Sequence, residues 1–458
     1  EIGNQVHQVH QVHQVRKALV PCAVLVAAAF VVAATLRDAG ETAVAAAPVL
    51  PSVVAGTSRA ELRATVADMT TRLAAQPDDA VAVVRLSDAL LRLQRVNNDG
   101  RAAITAETHL RRFLEARPAH YAARRMLAAV LLSQHRFGEA IAEGNRARAA
   151  DPRDAWNYGA IGDGYMELGD YGRAFEAFDR MGQLAPGPSA YARTAYALEI
   201  KGDLDGALEF MRMAADGTSP NDPESQAWHF TQVGDLLMHL GRIGEARLSF
   251  ERAEATFPNH PLAIWGLARV KIADGEWSAA RLLLQGELAK APTPDLAAAI
   301  GDLSEALGDH AGAASYFRVA EQIERAALAS GPRQPQALAR LLADHDRNIP
   351  EAVSLAEEAA RSRQDIFTMD VLAVAYWKAG RVMDARRASD AALRTGSRDA
   401  VVLWHAAEIR AAAGEPAAAL ELLRSVPARE TIADVRVRAG IHALHQRLSS
   451  YFSLPTFP

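Results

Sequence analysis

Cysteine is almost absent from this sequence of 458 residues, which contains only Cys22. The chain after the first apolar run therefore has no disulfide, no cysteine-based metal site and no cysteine nucleophile. Three common catalytic motifs, H-E-x-x-H, G-x-x-x-x-G-K-[ST] and G-x-S-x-G, are missing as well. We therefore expect a protein that is not an enzyme and that uses no metal ion or other cofactor.

The sequence also lacks an excess of positive charge, because its formal net charge is −5. A nucleic-acid-binding protein normally carries a basic patch or stripe, so we expect no nucleic-acid partner. Aromatic residues make up only 6% of the chain, while half of the residues are hydrophobic and 23% are charged. These proportions are typical of a folded, soluble body.

Two short stretches could suggest a ligand site, but a simpler interpretation fits each of them. Residues 159–164 are rich in glycine, yet no strand precedes them, so a nucleotide loop is not indicated. The triplet Asp344-His345-Asp346 could hold a metal ion, but we interpret it as a solvated turn. Residues 1–17, with their repeated QVH triplets, are predicted to form a disordered low-complexity leader.

An uncharged apolar run covers residues 18–36 and follows the basic pair Arg16-Lys17. As a helix it would extend about 28 Å, close to the thickness of a bilayer core. It can be an uncleaved transmembrane anchor, a cleaved signal peptide or a buried helix of a soluble body. In the first two cases, which we favour, the basic pair stays in the cytoplasm, so the predicted location is extracytoplasmic, with the body either membrane-anchored or secreted.

Residues 37–58 are small and contain proline, and we interpret them as a linker. At their end Ser58 stands three residues before Glu61, which is the spacing of a capping box, so a helix is predicted from residue 59.

A helix–turn–helix unit of about 34 residues recurs through most of the remaining sequence. In the clearest copy, residues 155–186, Gly169 breaks the helical pattern and Pro186 ends the second helix. An alanine follows each turn glycine after five residues, and the pairs are Gly169 and Ala174, Gly202 and Ala207, Gly241 and Ala246, Gly275 and Ala280, Gly308 and Ala313, Gly380 and Ala385, and Gly414 and Ala419. A small side chain at this position lets the second helix pack closely on the first.

This pattern resembles the tetratricopeptide repeat family, whose consensus is W-x2-L-G-x2-Y, A-x3-F and P. The resemblance implies an all-α fold, a right-handed superhelical solenoid of about nine or ten repeats over residues 59–427. One degenerate repeat is predicted near residues 333–362, and a capping helix with a tail over residues 428–458. The apolar segment would add an N-terminal signal or anchor helix.

In this family the first helices of the repeats line a concave groove, and the resemblance identifies the positions that point into it. Carried over to this sequence, the predicted groove residues are Trp156, Asp163, Met166, Glu167, Tyr196, Glu199, Trp228, Asp235, Met238, Trp265, Arg269, Asp302, Glu305, Asp370, Trp377, Trp404 and Glu408. Tryptophan is enriched at binding hot spots, and the excess of carboxylates favours a basic partner. An alternative for the tryptophans near helix starts is packing between repeats.

We therefore expect a non-enzymatic scaffold or adaptor that binds a segment of a partner protein in the concave groove. The alternative is a membrane-anchored assembly factor of the cell envelope that acts on a multiprotein complex. A fused catalytic domain is disfavoured, because no segment outside the repeats is long enough to form one.

Overall fold

The structure is a computed structural model that describes residues 58–97, 100–330, 334–426 and 432–453. Within these ranges the chain forms 22 α-helices and no β-strand. None of these helices has the length and apolar character needed to cross a membrane. The predicted leader, the apolar segment of residues 18–36 and nearly all of the linker lie outside the described residues.

The helices follow one another with short connections. They are α1 (Arg59–Ala75), α2 (Ala80–Asn97), α3 (Arg101–Ala116), α4 (Tyr121–Ser133), α5 (Phe137–Ala150), α6 (Ala155–Leu168), α7 (Tyr171–Leu184), α8 (Pro188–Ile200), α9 (Leu204–Gly217), α10 (Pro223–His239), α11 (Ile243–Thr256), α12 (Pro261–Ala273), α13 (Trp277–Lys290), α14 (Pro294–Ala306), α15 (His310–Ser330), α16 (Pro335–Asp344), α17 (Ile349–Ser362), α18 (Ile366–Lys378), α19 (Val382–Ala392), α20 (Ala400–Ala412), α21 (Pro416–Arg424) and α22 (Val435–Ser453). From α2 to α21 they pair into ten antiparallel hairpins, which α1 precedes and α22 follows.

The start of α1 has the predicted capping box. The Glu61 amide donates to Ser58 Oγ at 3.3 Å, and the Ser58 amide donates to Glu61 Oε2 at 2.7 Å. Two of the first-turn amides, which have no partner inside the helix, are satisfied in this way.

Glycine closes the hairpin turns because the backbone there is left-handed, as at Gly169 with φ of 79°. In the same hairpin Gly162 faces Phe178, where an added Cβ would lie 2.4 Å from the ring. The close helix packing that the glycine and alanine pattern predicts is therefore present. In the degenerate repeat the left-handed turn residues are Asp346 and Asn348, two residue types that tolerate this conformation.

Hairpins far apart in sequence also contact each other, beginning with the first two helices. The Arg95 guanidinium forms two hydrogen bonds, of 2.9 and 2.6 Å, with the Glu224 carboxylate at the start of α10. Arg59 donates to the carbonyl oxygens of Pro258 and Asn259, between α11 and α12. Helices α1 and α2 therefore lie against the middle of the repeat array.

A second long-range contact joins the α6–α7 turn to the loop before α18. The Ile366 amide donates to Tyr171 Oη at 2.9 Å, and the Gln364 amide donates to the Leu168 carbonyl at 3.2 Å. A Cβ on Gly169 would lie 2.4 Å from the Gln364 backbone, so this contact requires glycine as well. These contacts join hairpins that are distant in sequence, which the prediction of a simple concave groove did not include.

Candidate partner-binding cavity

A cavity of about 1200 Å³ lies among the first helices of the middle hairpins. Its wall is built mainly by α12, α13, α14 and α16, with residues from α1, from the ends of α2 and α10, from the start of α20 and from residues 432–437. Its apolar lining includes Trp265, Leu296, Leu341, Val401 and Ile432. A cavity of this size with an aromatic wall is suited to side chains of a bound segment.

The charges on this wall are balanced. Seven arginine and lysine side chains and seven aspartate and glutamate side chains line the cavity, together with His239 and His345. The wall therefore has no surplus of cations that would match a phosphate backbone. In the described part of the chain, no group of three or more histidine and acidic side chains is placed to hold a metal ion.

Trp265 is the large aromatic residue of the wall. It is half-buried on α12 and packs beside the buried residues Ile272, Ile300 and Leu303, while part of its ring faces the cavity. Helical spacing explains the position, because the buried residues Ala268 and Ile272 occupy the next two turns on the core side. The indole can cover a ligand with little further loss of conformational freedom.

The wall contains four of the seventeen predicted groove residues, which are Met238, Trp265, Arg269 and Asp302. The prediction places Trp404 in an open groove, and this is wrong. Its side chain is only 7% exposed and lies beneath α22, where a Cβ on Gly440 would come within 2.1 Å of the ring. Met166 and Met238 are also core residues, at 2% and 4% exposure.

The other tryptophans among the predicted groove residues are half-buried and lie outside this cavity. The Arg125 guanidinium lies over Trp156 at 4.6 Å, and the Lys378 ammonium lies 4.9 Å from the centre of Trp377. Trp228 contacts the ring of His229 edge-on. Tyr196 is half-buried beside Tyr171 and Phe178. The contact of Trp156 with Arg125 joins two neighbouring repeats, whereas His229 belongs to the same helix as Trp228.

The acidic residues of the predicted groove all have basic partners within the chain. The pairs are Asp163 with Arg193, Glu167 with Arg363, Glu199 with His239, Asp235 with Arg269, Asp302 with His345, Glu305 with His310, Asp370 with His405 and Glu408 with Arg447. Most of these pairs join neighbouring hairpins, so they fix the stacking of the inner helices. The carboxylates are consequently not free to select a basic partner.

The triplet predicted to be a solvated turn is only partly exposed, and its first residue belongs to a buried ionic cluster. Only Asp346 is exposed, at 67% of its side chain, whereas Asp344 is 9% and His345 10% exposed. We define the ionic cluster as Asp344, Asp370, His405 and Arg436. In it His405 Nδ1 lies 2.8 Å from Asp370 Oδ2, and His405 Nε2 lies 3.9 Å from Asp344 Oδ1.

Burial and charge act in opposite directions on the pKa values of this cluster. Burial lowers the pKa of His405, but the carboxylates of Asp370 and Asp344 outweigh it and raise the pKa above its ordinary value. Burial raises the pKa of Asp344, yet Arg436 and His405 bring this pKa below its usual range. The cluster is therefore stable in its charged form.

Sequence reasoning missed the contribution that the segments flanking the ten hairpins make to the cavity wall. Arg59, Arg63 and residues 432–437 belong to its wall, although they lie outside the repeat pattern. Their positions follow from the closure of distant hairpins, which leaves no periodic signal. The amphipathic spacing of α22 predicts a capping helix but does not show that its first turn reaches the cavity.

One family model of the tetratricopeptide repeat matches residues 105–155, 160–223 and 371–431, and a second model of this repeat matches residues 237–303. Protein FlbA of Caulobacter vibrioides is 30% identical over 199 residues, which covers 42% of this chain and 32% of that protein. The chain thus spans about a third of the length of this relative.

Solved structures with similar folds include the human IFIT1 dimer with m7Gppp-AAAA, at 17% identity and a TM-score of 0.47, covering 74% of this chain and 78% of that one. Another is PilF of Pseudomonas aeruginosa, at 20% identity and a TM-score of 0.33, where the match covers 46% of this chain and 92% of PilF. At these identities the likeness concerns the fold alone.

Proposed function

Because the chain belongs to the tetratricopeptide repeat superfamily, a family of protein-interaction scaffolds, we propose that it holds a segment of another protein in the cavity beside Trp265. In this proposal the protein is a non-enzymatic adaptor. The observation that carries the proposal is the half-buried indole of Trp265, which lies among apolar and charged side chains on the cavity wall. A large, rigid aromatic side chain contributes much contact area at little entropic cost.

The lining supports a polypeptide rather than a nucleic acid as the ligand. Seven basic and seven acidic side chains lie on the wall together with apolar ones. A peptide can match such a surface with its own mixed side chains, whereas a phosphate backbone would meet as many anions as cations. The long-range contacts of α1 and α2 with the middle hairpins also hold the wall in place before binding, which reduces the ordering cost.

The experiment compares two tryptophans that differ in their relation to the cavity. In Trp265→Ala the wall loses its indole, whereas in Trp377→Ala a half-buried indole outside the cavity is removed. We expect Trp265→Ala to weaken capture of the partner from native extracts about tenfold or more, and Trp377→Ala to leave it nearly unchanged. Equal effects of the two substitutions would contradict binding of the partner segment in the cavity.

The apolar segment of residues 18–36 favours a second, compatible candidate. In it the protein is an assembly factor of the cell envelope, held to or exported across the membrane, with its repeats on the extracytoplasmic side. The test is fractionation combined with protease accessibility in intact cells. Repeats that are found in the cytoplasmic fraction would contradict this candidate.

A further inference from the structure

The segment of residues 432–438, which we call the strap, connects the last hairpin with the middle of the repeat array. Val435 is 7% exposed and belongs to the same buried cluster as Ala268, Ile300 and Leu303 of α12 and α14. Arg438 donates to the Ile272 carbonyl at 3.4 Å. The strap therefore occupies a site on the hairpins that form the cavity wall.

A second contact of the strap is ionic. Arg436 Nη2 lies 2.9 Å from Asp344 Oδ2 at the end of α16, and its guanidinium lies 5.3 Å from the centre of the Trp404 ring. Asp344 is buried, so its carboxylate needs a cation at this position. Val435 and Arg436 together present an aliphatic and a cationic side chain to neighbouring sites.

The strap also contacts the last hairpin, because Ile432 and Val437 belong to one buried cluster with Ala419 and Leu423 of α21. The rest of α22 packs in the same cluster through Ile441, Leu444 and Leu448. Arg447 of the same helix pairs with Glu408 of α20. This part covers the end of the repeat array, which requires no contact with α12, α14 or α16. The reach of the strap is thus an additional feature.

We propose that the strap, which forms one part of the cavity wall, is an intramolecular ligand of α12, α14 and α16, and that the partner segment binds there by replacing it. The partner segment then carries a β-branched aliphatic residue followed by arginine, as Val435 and Arg436 do. This inference rests on the proposed function, because it names the chemistry of the segment that the cavity accepts. The aliphatic side chain fills the site against Ile300 and Leu303, and the arginine pairs with Asp344.

The strap lowers the apparent affinity for any competing segment, since only the fraction of molecules with a displaced strap can bind it. Weakening the strap should therefore tighten binding of a peptide supplied in trans. This prediction distinguishes an exchangeable ligand from a fixed structural contact, because a fixed segment would stay in place and leave no site for a peptide of the same sequence.

The experiment uses the full chain and a fluorescent peptide with the strap sequence IADVRVR, followed by anisotropy. Arg436→Gln removes the cationic contact of the strap. Arg447→Gln is the matched control, because Arg447 also lies on α22 and also pairs with a buried carboxylate. We expect the peptide to bind Arg436→Gln about tenfold or more tightly than the wild type or Arg447→Gln. A peptide with aspartate and glutamate in place of its central valine and arginine should not bind.

Val435→Ala provides a second, milder release of the strap if Arg436→Gln does not fold, as judged by circular dichroism. Equal or absent peptide binding in the wild type and all folded variants would overturn the inference. Tight peptide binding to Arg436→Gln, together with partner capture that is insensitive to Trp265→Ala, would support the strap and contradict the proposed function. Partner capture that requires Trp265 but is unchanged in Arg436→Gln would support the proposed function and overturn the strap.

Discussion

Arg436 Nη2 lies 2.9 Å from Asp344 Oδ2 and thereby joins α22 to the last residue of α16, 92 positions earlier in the chain. The same carboxylate faces His405, whose other ring nitrogen contacts Asp370. The ionic cluster thus connects three consecutive hairpins with the C-terminal helix. Its loss should affect both the stability of this end of the array and the position of the strap.

Asp344→Asn tests the contribution of this cluster to stability. We expect it to lower the free energy of unfolding by about 3 kcal/mol, because Arg436 and His405 lose a buried anionic partner. The control Asp346→Asn affects an exposed carboxylate that pairs with Lys378, and it should change the free energy by less than about 1 kcal/mol. Urea denaturation measures both values, and similar effects of the two substitutions would show that the buried pair has no special importance.

Because His260 is buried in its neutral form, we expect the free energy of unfolding to decrease in acid. Its ring is 2% exposed, neither ring nitrogen has a hydrogen-bond partner in the described structure, and burial lowers its pKa to about 4. The unfolded chain, with a pKa near 6.5, therefore binds a proton first as the pH falls. Stability should decrease between pH 6.5 and pH 4 by about 2 kcal/mol from this residue.

The variant His260→Gln should show a shallower decrease in stability over this range, as measured by denaturation at several pH values. His310→Gln is the control, because the His310 side chain is 74% exposed. A pH dependence of His260→Gln identical to that of the wild type would contradict the assignment of this acid sensitivity to His260.

For His405 we expect the opposite dependence, a free energy of unfolding that decreases as the pH rises. Its pKa is raised in the folded state, so the folded protein holds the proton more tightly than the unfolded chain. The resulting stability is fully present below the ordinary histidine pKa and is lost as the pH rises through the raised pKa. His405→Asn should therefore have a flatter stability profile than the wild type on the alkaline side of pH 6.5, and an unchanged slope would be evidence against the charged histidine.

The substitution Gly440→Ala tests the packing of α22 on Trp404. An alanine Cβ at this position would come within 2.1 Å of the indole, so Gly440→Ala should destabilise the fold by about 2 kcal/mol through overpacking. Gly182 in α7 has no atom within 4 Å of an added Cβ, and Gly182→Ala should stabilise the helix by about 0.5–1 kcal/mol. Thermal unfolding of both variants checks the opposite signs, and a neutral Gly440→Ala would show that α22 is not tightly packed there.

The local features of the fold follow from the sequence. The capping box at Ser58 and the tight contact of Gly162 with Phe178 depend on residues that are close in sequence, and periodicity reveals such contacts. The closure of the array does not follow, because the pair of Arg95 and Glu224 spans 129 positions without any repeated pattern. For the same reason the burial of Trp404 under α22 was not predictable.

Photo-crosslinking tests the binding cavity most directly. A photoreactive amino acid replaces Leu296 on the cavity wall or, as the control, Leu282 on α13, which is 71% exposed and lies outside the cavity. The account predicts a covalent adduct with the partner protein from position 296, reduced by Trp265→Ala, and none from position 282. Crosslinking from position 282 alone would contradict binding in the cavity.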